Sequence, residues 1–127
     1  MAQFVDGNVK TFEADGAIAQ FARVQLDADG KVTTAGLTAK DIGTAEREAF
    51  AAGDKIPVRL RTASGTHKVI ASEAVAVGGT LHTQASGKVG DTATATGYEY
   101  GMAIEASSAD GDIIEAIRIN HGDTANS

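Results

Sequence analysis

Three histidines, His67, His82 and His121, are the residues of this chain best suited to acid–base or metal chemistry near neutral pH. No two of them have the spacing of an HxxxH or HExxH site. His67 and His82 fall within expected strands and His121 within a polar tail, so neither a metal site nor a histidine-based catalytic centre is expected. Paired carboxylates occur at Glu46/Glu48 and Asp110/Asp112. Residues two apart share a face of a strand, so Glu46 and Glu48 would form an acidic patch. A catalytic pair needs a cleft and a raised pKa, and the sequence shows neither. Asp27-Ala28-Asp29-Gly30 opens like a calcium loop, but its twelfth position is Thr38 where a glutamate is required, so a hairpin turn is the better reading. Lys31 and Lys88 each follow a glycine, as in lysine-bearing carrier hairpins, but their flanks fit no lipoyl or biotinyl motif. The chain has no Cys, no GxSxG elbow and no GxGxxG or GxxxxGK[ST] phosphate cradle. The expectation is a protein that is not an enzyme and takes no cofactor.

Charge narrows the partners. The net charge is -6, with 11 basic and 17 acidic residues, which disfavours nucleic acid as a ligand. No apolar run approaches the length of a membrane span, and the N-terminus does not read as a signal segment; a soluble protein that stays within the cell, or is assembled there, is expected. One segment departs from the acidic background. Residues 55–68 carry Lys55, Arg59, Arg61 and Lys68 and no acid after Asp54. Arg59 and Arg61 alternate with Val58 and Leu60, so they are expected to project outward together. Two readings stay open: a charged strand edge that discourages aggregation, or a basic stripe meeting an acidic subunit or partner.

The elements that must position these groups are strands. The chain has nine Val and nine Ile but four Leu, favouring strand over helix. Strands are expected near Val9–Ala14, Phe21–Leu26, Lys31–Thr34, Ile42–Glu48, Lys55–Thr62, His67–Ser72, Thr80–Thr83, Tyr98–Ala106 and Asp112–Ile119. Turn signals stand at Asp29-Gly30, Ser64-Gly65, Gly78-Gly79, Ser86-Gly87 and Asp110-Gly111. A single helical turn is allowed at Thr38–Asp41, where a capping-box pattern sits among glycines. The fold class is all-β, a small barrel or sandwich with little or no helix. Large apolar residues are few: Val, Ile, Leu and Phe make up 26 of 127, which points to help from oligomerisation or docking.

The chain also repeats itself. With a shift of 57, residues 15–35 match 72–92 at six positions, including Gly30-Lys31-Val32 with Gly87-Lys88-Val89. With a shift of 58, residues 42–57 match 100–115 at six positions, including Gly43, Gly53-Asp54 and Ile56 with Gly101, Gly111-Asp112 and Ile114. One more slip pairs Val58-Arg59-Leu60 with Ile117-Arg118-Ile119. A single β domain spanning 1–127 is expected, with similar halves at about 12–60 and 69–119 and a polar tail at 120–127. In the closing strands, Ile56, Val58 and Leu60 would share one buried face. Ile113, Ile117 and Ile119 would share another, which Glu115 interrupts and leaves half buried.

The run Ile42-Gly43-Thr44-Ala45 followed by Ala51-Ala52-Gly53-Asp54-Lys55-Ile56-Pro57-Val58-Arg59-Leu60 resembles the small capsid decoration, or cement, proteins of tailed phages. Tyr100-Gly101-Met102-Ala103 through Ile117-Arg118-Ile119 is similar, and so is the opening Phe4-Val5-Asp6-Gly7-Asn8-Val9. The resemblance spans about residues 4–119 and rests on turns and apolar alternation. The charged segment and the Gly36–Asp41 connection have no match in it. It implies a β-barrel-like homotrimer, made in the host cytoplasm, that binds the major capsid protein on the outer surface of the virion and stabilises the shell. Phe4 and Val5, which give the N-terminus something to dock, join Lys55, Arg59, Arg61 and Lys68 as candidate partner contacts. The alternative class is a small carbohydrate- or peptide-binding barrel, for which the chain supplies two Tyr and four Phe as platforms.

Overall fold

The structure is a computed structural model, and it describes residues 7–118. Ten strands follow in chain order: β1 Val9–Glu13, β2 Arg23–Leu26, β3 Val32–Thr34, β4 Gly43–Ala45, β5 Lys55–Leu60, β6 His67–Ile70, β7 Thr80–Thr83, β8 Val89–Gly90, β9 Glu99–Ala103 and β10 Ile113–Arg118. They form two antiparallel five-stranded sheets, ordered β1-β5-β4-β2-β3 and β6-β10-β9-β7-β8. The second order is the first advanced by five strands, so the all-β expectation and the two similar halves both hold. The nine expected strands are present. The tenth, β8, is two residues long, too short to produce an alternation. The capping-box segment after Gly36 is a turn, and Ala85–Gly87 turns the chain between β7 and β8 with Ser86 and Gly87 at φ +61 and +73, left-handed values that do not belong to a right-handed helix.

The halves match down to single backbone bonds. Ala14 bridges Val32 in parallel, as Ala71 bridges Val89. The Ala14 N–H donates to Asp54 and the Ala71 N–H to Asp112. Gly53 and Gly111 both have φ +96, a backbone state that a side chain strains, which explains the recurring Gly-Asp. Gly43 and Gly101 answer a different demand: a Cβ there would overlap the carbonyl oxygen of Arg59 or Ile117 on the neighbouring strand. These paired features are what the sequence repeat encodes.

The ladder corrects two expectations. Ala45 pairs with Val58, and Ala103 with Ala116, so the shift stays at 58 through the closing strands. The counterpart of Arg59 is therefore Ile117 rather than Arg118, and that of Leu60 is Arg118. A one-residue slip also exchanges faces. Ile114 and Ala116 fill the second core, while Ile113 and Ile117 stand outward, 48% and 46% exposed. Ile56 and Val58 are buried and Leu60 is half-buried, as the alternation in β5 requires.

Each half has its own small core. The first gathers Val24, Val32, Ile56 and Val58 with Ile18 and Ala49 from the loops, and Ile70 reaches into it from β6. The second gathers Val69, Leu81, Val89, Tyr100 and Ile114 with several alanines. Tyr100 owes its place to a register shift between β7 and β9. Leu81 pairs with Gly101, but His82 pairs with Glu99, so Tyr100 is the additional residue and its ring turns inward. Ile119, His121 and the tail 120–127 lie outside the described residues.

Candidate functional site

Most side chains that could do chemistry are tied to the scaffold. The Asp27 carboxylate accepts the N–H groups of Asp29 and Lys31, closing the β2–β3 hairpin where a calcium loop would need it free. The Asp112 carboxylate accepts from the Ser108 and Ala109 N–H groups and the Ser108 hydroxyl, which lower its pKa. Asp54 takes the same part with Phe50 and Ala51. Asp110 pairs with Lys88 at 2.8 Å. Glu46 and Glu48 do not form the expected patch, because β4 ends at Ala45; Glu46 lines a cleft, while Glu48 lies by Arg47, Phe50 and Lys55. Among the described residues no group of three His, Cys, Asp or Glu side chains could hold a metal ion. No helix there is long and apolar enough to cross a membrane.

The four cations of 55–68 do not form one stripe. Lys55 is exposed at the start of β5, next to Phe50. Arg61 lies beyond the end of β5 and is half-buried. Arg59 and Lys68 come together in a cleft of about 420 Å³ between the two halves, and Glu46 and Glu115 share it. Arg59 also donates to the carbonyls of Thr66 (3.1 Å) and Ser64, holding the link between the sheets. The Lys68 ammonium sits 5.7 Å from the ring of Phe21, the one aromatic lining the cleft among the described residues. Phe4 and Val5 lie outside the described residues.

Behind that cleft is a buried charged layer that alternation did not reveal. Arg23, in β2, is fully buried. Its guanidinium donates to the carbonyls of Lys88 (3.1 Å), Gly36 (3.3 Å) and Gln84 (2.6 Å) and to the Asp41 carboxylate (3.4 Å). Burial lowers the Arg23 pKa, and the Asp41 charge opposes that shift. Asp41 also lies 2.7 Å from Arg118 of the second half, whose side chain is 3% exposed. The Arg118 guanidinium stacks 4.2 Å from the Tyr100 ring centroid. Burial pushes the Tyr100 phenol up to about 12. His67 closes the layer. Burial first, then the positive charges of Arg118 and Arg59, lower its imidazole to about 4. One carboxylate thus joins an arginine from each half, and the neutral His67 and Tyr100 fill the space around them.

The outward face of the second sheet carries the opposite character. Val77, Met102, Ile104, Ile113 and Ile117 are between 37% and 66% exposed. Met102 and Ile117 are direct cross-strand partners. The expectation of a half-buried face at Ile113 and Ile117 understated this exposure; the signal that could have revealed it is the adjacent Ile113-Ile114, which puts an apolar residue on each side of the strand.

The chain folds like the base of a phage head fiber. The head fiber gp8.5 N base in bacteriophage phi29 matches it with a TM-score of 0.71 and 18% identity, over 87% of this chain and 92% of that chain. No family model and no curated protein matches. At 18% identity the likeness is one of fold. It is to a phage head-fiber protein rather than to a particular decoration family, coarser than the resemblance carried by the turns.

Proposed function

We propose that the protein is a non-catalytic structural component of a phage virion, a homotrimer that binds the outer surface of the assembled head through the major capsid protein and stabilises the shell. The observation that carries this reading is the shared fold with a head-fiber base over nearly the full length of both chains. Two further features support it. The carboxylates of Asp27 and Asp112 bind backbone N–H groups of turns, and Asp110 pairs with Lys88, roles that suit a structural protein. The protein also presents an exposed apolar face, a feature that marks association surfaces. Binding of many copies to one shell multiplies weak contacts into a tight hold.

The test is co-sedimentation with heads of the phage that encodes the chain, before and after expansion, followed by thermal disruption of the decorated shells. Saturable binding at a fixed number of copies per capsid subunit, with later disruption of the shell, is expected. A folded sample that binds neither form removes the reading, and a glycan or peptide screen then tests the binding-module alternative.

A further inference from the structure

The cleft between the halves holds an aromatic ring that the fold itself does not ask for. Phe21 has φ +69, a left-handed state that strains a bulky side chain. Its counterpart in the second repeat is Gly78, at φ +84, so the backbone plan the repeats share calls for glycine here. The first repeat keeps a phenylalanine at that position, half-buried, packed against the first core and lining the cleft. Strain of this kind persists where the surroundings hold it, and it gathers at ligand sites. The polar lining is equally particular to the first repeat. Gln20, Thr44, Glu46 and Arg59 have Val77, Met102, Ile104 and Ile117 as counterparts, by the registers of the two sheets. The same sheet is therefore built in the second repeat with neither the ring nor the polar groups around it.

The groups that line the cleft define what fits it. Arg59, Lys68, Glu46 and Glu115 are two cations and two carboxylates, so their charges balance and leave no surplus for an anionic or cationic ligand. Arg59 is engaged with the Thr66 and Ser64 carbonyls, and Glu115 accepts from the Thr66 hydroxyl. Among the described residues the Glu46 carboxylate and the Lys68 ammonium are in no ion pair, and Lys68 is an exposed side chain whose contact is the Phe21 ring. The cleft thus offers an acceptor, a donor and an apolar ring around about 420 Å³, a volume in the range of small-molecule sites. A neutral ligand that meets acceptor and donor in one cleft needs groups that do both, as hydroxyls do. A ligand that lies on a ring also needs an apolar face. A sugar ring has both, hydroxyls at its rim and C–H bonds on its face. We infer that the cleft between the two halves is a saccharide site, with Phe21 under the sugar face, Glu46 accepting from its hydroxyls and Lys68 donating to them. A cation–π contact at an exposed site is weak, so the sugar displaces the ammonium from the ring. On a head surface such sites would act together, many weak contacts holding the particle to a glycan coat; that consequence rests on the function proposed above, and the site itself does not.

The test is a titration of the isotope-labelled full chain with single sugars (glucose, galactose, mannose and N-acetylglucosamine), followed by amide NMR, with glycine, acetate and inorganic phosphate as controls. At least one sugar is expected to move the amides of Phe21, Glu46 and Lys68 saturably, with a millimolar dissociation constant, and the controls to leave them in place. Two variants locate the site. Phe21→Gly installs the residue that the second repeat carries in the same backbone state, and Glu46→Ala removes a carboxylate that is in no ion pair among the described residues. Each should weaken binding of that sugar about tenfold or more while circular dichroism shows the native strands. Where Phe21→Gly does not fold for want of its core packing, Glu46→Ala carries the test alone. Shifts with glycine and with no sugar would make the cleft a zwitterion site, and shifts with acetate or phosphate and with no sugar an anion site; either overturns the inference. Sugars that leave the three amides unmoved, or a folded variant that binds like the wild type, overturn it as well. Sugar binding without head binding leaves this inference standing and removes the proposed function; head binding without sugar binding does the reverse.

Discussion

His67 offers a direct measure of the buried layer. Its ordinary pKa of 6.5 falls to about 4 in the folded chain, first through burial and then through Arg118 and Arg59. The sign follows from proton counting. Between pH 6.5 and 4 the unfolded chain binds a proton at this site that the folded chain does not, so stability falls as pH falls. With about 1.4 kcal/mol per pH unit of difference, the loss relative to pH 7 is about 2 kcal/mol at pH 5 and about 3 kcal/mol at pH 4. His67→Leu removes the titration and keeps an apolar group at the buried start of β6. Urea unfolding at pH 7, 6 and 5, followed by far-UV circular dichroism, gives both stabilities. Both proteins are compared at one concentration, so that any association enters both stabilities alike. Carboxylates held down in turns, Asp112 among them, add their own acid loss to both chains and cancel in the difference. Wild-type stability minus that of the leucine variant should shrink by about 2 kcal/mol from pH 7 to pH 5. Parallel pH profiles would refute the argument, as would an imidazole that titrates near 6.5 by NMR in the folded protein.

Other outcomes follow from the same contacts. Asp41→Ala leaves Arg23 and Arg118 buried without their shared carboxylate, and a loss of about 3–5 kcal/mol in urea unfolding is expected, whereas Lys88→Ala at the more exposed pair with Asp110 should cost at most about 1 kcal/mol. Gly53→Ala meets nothing within 4 Å but holds φ +96, so a loss of about 1–3 kcal/mol in the same assay is expected from backbone strain alone. Gly43→Ala drives a Cβ into the Arg59 carbonyl and should cost more than Gly53→Ala, or leave no folded chain by circular dichroism. Asp112→Ala removes the acceptor of the Ser108 and Ala109 N–H groups at an exposed turn, so a lower thermal unfolding midpoint is expected, with a similar fall for Asp54→Ala.

The strands and the repeat were legible because local chemistry writes them. Gly53-Asp54 and Gly111-Asp112 mark the same turn twice, with a glycine at positive φ and a carboxylate that binds the turn's N–H groups. The hairpin glycines Gly30 and Gly87 do the same at φ +78 and +73. Where the chain breaks this economy, reading it failed. Phe21 takes φ +69 at the position where the second half has Gly78, so that turn carried no glycine signal in the first half. Matching Arg59 with Arg118 aligned two arginines but shifted the strand by one and inverted its faces. The buried layer was illegible for a different reason. Arg23 lies beside Val24 in a pattern that reads as outward and solvated, and only the meeting of the two halves brings Asp41 and Arg118 to it. No local pattern carries a contact between residues so distant in sequence.

That division of labour has a physical logic. Each half buries a core of small and medium side chains, largely Ala and Val, so each gains little from its own interior. What fixes the halves against each other is directional: Arg23 spends its donors on Asp41 and three carbonyls, and Asp41 holds Arg118 on the far side. Polar contacts of this kind are satisfied only in a narrow range of angles. The outward face at Met102 and Ile117 has no such demand; apolar contacts tolerate small rotations and draw their free energy from area. The Arg23–Asp41–Arg118 layer thus acts beyond its own neighbourhood, because the angle it holds between the halves sets where the second sheet presents its exposed apolar face relative to the first sheet.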